Sequence, residues 1–348
     1  MKLILLFSIV SLIYACSIDK NEIKKNNFIF SNTEKYDRVI KTLEVEKNEK
    51  FDVFNNNLFR PSSIRKDSNY IFVSDFGDMK IKKFNMDGDM ILTYGDGRGR
   101  GPSEFLNITD FDICGELLWA SDIQNMRVVS FHRENGMLNN TINMEARPIR
   151  ITCVRDRIVI MQFGGDHLFN IFDSEGNIIS ETGYEFEEII QFNPAALDGN
   201  IYTYKDGFLY LPFYASFVFH FDISGNLVNR ILLPDGQRFI NEHDDKNRSE
   251  GPFSAPNPDY TYTGMLINEQ EELINIFSVY MGEKNSSDEY ISDPFAAYDQ
   301  FDINSGEYLK SFELPFSFKD LHLINSHFIG RSSKDGIVSY ELLNGPLK

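Results

Sequence analysis

The stretch "VSDFGDMKIKKFNMDGDMIL" (73–92) has a second version, "ASDIQNMRVVSFHRENGMLNN" (120–140). Each begins with an apolar run ending in Ser-Asp, turns over a few polar residues, and restarts as a strand near Met79 or Met126. An aromatic residue, a polar turn with glycine and another strand-like run follow. A carboxylate at the end of a strand can accept the backbone N–H groups of the turn after it, so Asp75 and Asp122 read as turn residues. Glycine belongs in the next turn because tight hairpins place residues at positive φ.

Working outward, the aromatic–turn–glycine–strand unit occurs six times: "FNMDGDMIL", "FHRENGMLNN", "FDSEGNIIS", "FDISGNLVN", "FDINSGEYLK" and "YELLNGPLK". Its glycines are Gly88, Gly136, Gly176, Gly225, Gly306 and Gly345. A repeat of about 40–50 residues is the size of one four-stranded propeller blade. The interval between Gly225 and Gly306 holds one blade plus an insertion, placed at 234–259, a polar stretch with four prolines. Past residue 39, short runs of Ile, Val, Phe and Tyr alternate with Gly, Asn and Asp clusters, an all-β pattern. The expected fold is therefore an all-β, six-bladed β-propeller over residues 39–348. The last repeat shows only three strands, near 321–324, 328–331 and 337–342. A blade lacking its fourth strand would leave an open edge. The strand-like "VIKTLEVE" (39–46) is expected to pair with 337–342, complete the last blade and close the ring.

The N-terminus, "MKLILLFSIVSLIYAC" (1–16), has a basic residue, an apolar run over 3–13 and an Ala-Cys pair. That run is too short to span a bilayer and has the length of a secretory signal core. Its end resembles the bacterial lipoprotein signal, which implies cleavage after residue 15 and lipid attachment at Cys16. Residues 16–38 are polar, rich in Asn and Lys, and read as a flexible tether. The net charge of −18 argues against nucleic acid as a partner. The two remaining cysteines, Cys114 and Cys153, sit in short apolar segments. Two buried thiols are the favoured reading, with one disulfide as the alternative.

"VSDFGDMKIKKFNMDG" and "ASDIQNMRVVSFHRENG" resemble NHL-type propeller repeats, and "GDGRGRGPSEF" (95–105) resembles the glycine-rich link between such blades. Together with the signal, the chain is similar to the TolB-like six-bladed propeller lipoproteins of Bacteroides-type bacteria. The resemblance implies a fold and a place in the cell envelope, at the outer membrane, and implies no reaction. The glycines of 94–105 do not make a nucleotide site. No lysine follows them in P-loop spacing, and neither frame places a third glycine for a dinucleotide fingerprint. The segment reads as an inter-blade connection.

Propellers present their innermost strands around a channel, where ligands meet one mouth. Aligning "FRPSSI", "FLNITDF" and "ARPIRI" puts Arg60 and Arg147 at equivalent places, with Asn107 and Arg150 nearby. Arginines there could hold an anionic or carboxylate ligand through paired hydrogen bonds, and salt bridging to the abundant acids is the competing reading. Partners are therefore a protein or a small anionic or carbohydrate ligand, plus the membrane through the lipid anchor. The six histidines are dispersed, and no linear catalytic or metal-binding motif occurs, so neither catalytic residues nor cofactors nor metals are assigned. A non-enzymatic binding scaffold is the leading expectation. A metal-dependent hydrolase or lyase of the lactonase type is the alternative, and needs oxygen ligands converging from several blades.

Overall fold

The computed structural model describes residues 40–42, 45–47, 56–192, 194–234, 260–280, 295–314, 319–324, 327–332 and 336–342. The expected signal and tether, Cys16, Gly345 and nearly all of the expected insertion lie outside the described residues.

Two short strands come first, β1 (Ile40–Thr42) and β2 (Val45–Lys47). The first repeat forms β3 (Pro61–Lys66), β4 (Tyr70–Asp75), β5 (Lys80–Asn85) and β6 (Met90–Tyr94). The second forms β7 (Ile108–Cys114), β8 (Leu117–Asp122), β9 (Arg127–His132) and β10 (Leu138–Asn143). Then come β11 (Arg147–Val154), β12 (Arg157–Phe163), β13 (Phe169–Phe172) and β14 (Ile178–Thr182). A short helical connection follows, which includes α1 (Glu187–Phe192). After it run β15 (Gly199–Tyr204), β16 (Gly207–Pro212), β17 (Phe217–Asp222) and β18 (Leu227–Leu232). Next are β19 (Tyr260–Asn268), β20 (Leu273–Tyr280), β21 (Phe295–Asp302) and β22 (Tyr308–Leu314). The described chain ends with β23 (Lys319–Ile324), β24 (His327–Ser332) and β25 (Gly336–Leu342).

The all-β propeller architecture is observed, but the expectation of six four-stranded blades is corrected. The described strands form five four-stranded sheets, not six; the remaining sheet is five-stranded, in the order β1-β22-β21-β20-β19. The difference lies in the N-terminal segment, which was expected to act as one strand and instead divides. Its second part, β2, lies antiparallel to β25, with Val45 opposite Leu342. Its first part, β1, leaves that sheet and runs parallel to β22, with Ile40 opposite Ser311. The first strands of the sheets lie side by side around the centre: β3 against β7, β7 against β11, β11 against β15, β19 against β23 and β23 against β3.

Aromatic side chains fill the wedges between sheets. Phe72, Tyr94, Phe105, Phe111 and Phe131 join the first two repeats, and Phe169, Phe208, Tyr210 and Phe219 join the third and fourth. All nine are essentially inaccessible to solvent. The hairpin glycines have the backbone their turns require, with φ between 71° at Gly136 and 90° at Gly88. The hairpins of Gly136, Gly176, Gly225 and Gly306 also lean on the preceding sheet. A Cβ at Gly136 would lie 3.0 Å from the Thr93 carbonyl oxygen. Residues 94–105 serve as a connection: Phe105 is buried 5.9 Å from the Phe131 ring, and Arg98 Nη1 donates to the Leu106 carbonyl at 3.1 Å. Among the described residues no helix is long and apolar enough to cross a membrane.

Candidate functional site at the channel mouth

The first strands β3, β7, β11 and β15 alternate with period two. Ile64, Phe111, Ile151 and Ile201 turn into the core and are at most 4 % exposed. Their neighbours turn toward the axis, and the same positions recur: Ser63, Asp110, Arg150 and Asn200 form one tier, Arg65, Asp112, Thr152 and Tyr202 the next. The upper tier lines a cavity of ≈ 350 Å³. Ser62, Thr109, Asp198, Phe213, Tyr214 and residues 261–263 complete its wall, so β3, β7, β11, β15 and β19 all contribute.

The charges in this cavity are already matched. Arg150 Nη2 donates to Asp198 Oδ1 at 2.9 Å, Nε to Asn200 Oδ1 at 3.2 Å, and Nη1 to its neighbour's carbonyl, Ile149 O, at 3.1 Å. Arg65 Nη2 reaches Asp110 Oδ1 at 2.6 Å, while Asp110 Oδ2 accepts the Ile151 N–H at 3.2 Å. Asp112, in the next tier, accepts the Cys153 N–H at 2.9 Å and the Thr152 hydroxyl at 3.3 Å. Burial raises its carboxyl pKa, against the pull of Arg65 and of the Ile113 and Cys153 N–H groups. Beside it Cys114 and Cys153 form a disulfide between β7 and β11, with Cα atoms 5.6 Å apart. This corrects the expectation of two buried thiols. Adjacent first strands bring the two cysteines into register, and both are half-buried rather than enclosed.

The four residues picked from sequence take different places. Arg150 lines the cavity. Arg60, immediately before β3, is exposed and lies over the Phe76 ring at 4.9 Å, with its N–H donated to Asp75 Oδ1 at 2.7 Å. Asn107, immediately before β7, donates its N–H to Asp122 Oδ1 at 3.0 Å. Arg147 is the exposed first residue of β11. They mark equivalent starts of first strands, but only Arg150 is a wall of the cavity. Asp75 and Asp122 hold these starts. Asp75 also accepts the N–H of Phe59 at 2.8 Å and of Gly77 at 2.9 Å, and meets Lys82 Nζ at 2.7 Å. Burial pushes the Asp75 carboxyl up, but Lys82 and the three N–H groups outweigh it and leave its pKa lowered.

Asp110, Asp198, Asn200 and Tyr262 were missed by motif reading. For Asp110 a signal was available, in the period-two alternation of "SSIR", "TDFD" and "IRIT", which sets it level with Ser63 and Arg150. Among the described residues no group of three or more His, Cys, Asp or Glu side chains is placed to hold a metal ion. His220 packs edge-on against Tyr204 at 5.3 Å, and burial lowers its pKa.

No family model matches this chain, and no curated protein matches it. Solved structures do. A member of the DUF4221 family from Bacteroides vulgatus is similar with a TM-score of 0.57 at 9 % identity, over 89 % of this chain and 98 % of that one. A candidate exported protein of Bacteroides fragilis gives 0.54 at 12 % identity over the same shares. Hydrazine synthase of Kuenenia stuttgartiensis gives 0.52 at 10 % identity, over 78 % of this chain and 74 % of that one. At such identities the likeness is one of fold, and the fold is a β-propeller.

Proposed function

We propose that the chain is an envelope lipoprotein, a TolB-like and NHL-like propeller anchored to the outer membrane through Cys16, that works as a non-enzymatic scaffold binding a ligand or protein at its channel mouth. One observation carries this reading: a cavity where the first strands of five sheets converge, lined by hydroxyl groups, by the Arg150–Asp198 pair and by Asp110, which Arg65 engages from outside the lining. Groups that already satisfy one another favour a partner that hydrogen-bonds over one that needs a bare charge. The likeness to a candidate exported Bacteroides protein agrees with an envelope location. The metal-dependent hydrolase or lyase has no comparable support, because the carboxylates of the mouth face arginines.

The test places a photo-crosslinking amino acid at Tyr214 in the cavity wall or at Met137 on an outer hairpin, in cells. Adducts from position 214 and none from 137 are expected. Lactone hydrolysis that requires added calcium and is lost in Asp198→Asn would replace the scaffold by the hydrolase. For the anchor, Cys16→Ala should abolish palmitate labelling and shift the chain from the detergent to the aqueous phase.

A further inference from the structure

A second cavity, of ≈ 550 Å³, lies away from the channel, between the end of β10 and the sheet of β11–β14. Its floor is polar yet buried: Gln162, His167 and Asn170 are 4 %, 9 % and 6 % exposed. The three side chains close a triangle. His167 Nε2 meets Asn170 Oδ1, Asn170 Nδ2 donates to Gln162 Oε1 at 2.9 Å, and Gln162 Nε2 lies 3.4 Å from the His167 carbonyl. His167 Nε2 also lies 3.0 Å from Gln162 Nε2, so it faces an amide oxygen on one side and an amide N–H on the other. The turn between β12 and β13 holds the floor in place. A Cβ at Gly165 would lie 2.7 Å from Gln162 Nε2, so a larger residue there would displace the Gln162 amide.

The walls differ from the floor. The Tyr184 ring is 48 % exposed and stands 5.9 Å from the imidazole. Glu181 Oε2 lies 3.5 Å from its hydroxyl. The lining includes carboxylates and neither lysine nor arginine, which refuses an anion. A neutral ring with a hydroxyl edge and an apolar C–H face fits this arrangement. The edge meets amide, imidazole and carboxylate, and the face packs on the tyrosine. The volume is within the range of small-molecule sites, about 300–1,000 Å³. We infer that this cleft binds a hexopyranose unit of a neutral saccharide, independently of the channel mouth.

The experiment is saturation-transfer NMR on the full chain with the methyl glycosides of glucose, galactose, mannose and N-acetylglucosamine. At least one should receive saturation and titrate with a Kd of about 1 mM or tighter. Tyr184→Ala should weaken it by about tenfold with circular dichroism unchanged, and Glu181→Gln should also weaken it. Arg150→Ala, in the other cavity, should leave it intact. Tighter binding of the matching disaccharide would assign the cleft to a glycan chain and equal affinity to a single sugar; both support the inference. Silence from all four glycosides, binding indifferent to Tyr184→Ala, or loss of binding in Arg150→Ala would overturn it. So would binding of tetramethylammonium with none of the sugars.

Discussion

Asp75 shows how much one side chain does at the start of a repeat. Its two carboxylate oxygens gather three backbone N–H groups and the buried Lys82 ammonium. Asp75→Ala would strand the three N–H donors and leave Lys82 only Asp78 and the Asn57 carbonyl. Removing one partner of a buried pair typically costs about 3–5 kcal/mol, and a loss of that size is expected in urea melts at neutral pH. The folded pKa of Asp75 is lowered, so its contribution is present above the unfolded carboxylate value and fades as pH falls through the folded one. The gap between wild type and variant should therefore narrow on acidification below about pH 4. A gap that is constant from neutral to strongly acid pH would contradict this account. The role of this residue was legible, because Ser-Asp before a polar turn is a local signal. The pairing of Arg150 was not, since Asp198 lies 48 residues away and becomes its neighbour only when two sheets adjoin.

Between elements, the disulfide ties β7 to β11 across a sequence separation of 39. In the chain-entropy model a loop of that length stabilises the fold by about 4 kcal/mol. Cys153→Ser should lower the melting temperature, and adding reductant should lower that of the wild type but not of the variant. Equal melting with and without reductant would remove the bridge from the account. Sequence alone left the pairing open, because both cysteines sit in apolar runs that suit buried thiols as well. Register decides it, and register between sheets is not written in either strand. The hairpin glycines were legible by contrast, since each turn is local. Gly136→Ala should cost about 1–2 kcal/mol for the left-handed backbone, plus whatever the 3.0 Å approach to Thr93 adds, by the same urea measurement.

For the whole molecule, the repeat of strands was plain in the spacing of glycines, and the destination of the N-terminal segment was not. The three residues of β1, Ile-Lys-Thr, carry no feature that prefers one sheet edge over another. An outer edge accepts any extended backbone, since the hydrogen bonds are main-chain. The candidate cavity was legible in outline for a related reason: Arg150 can be found by aligning first strands by eye, whereas Asp198, which pairs with it, precedes the first strand of the next sheet. Three lengths of chain separate the two short strands. Removal of residues 1–39 should leave the melting temperature unchanged by calorimetry. Removal of 1–43 should cost a little, by uncovering β22. Removal of 1–48 should cost more, by uncovering β25 as well. Identical melting of all three would show that neither strand supports the ring.

The division of that segment also sets how the molecule bears load. Any pull from the chain before residue 40 reaches β1 first. Because β1 is parallel to β22, tension along the strand shears its hydrogen bonds together, while tension across it peels them one at a time. When β1 yields, residues 40–44 add up to about 17 Å of extended chain before the pull arrives at β2. The β1 strand is thus a mechanical fuse: it can give way and absorb a jolt while β2 keeps its hold on β25.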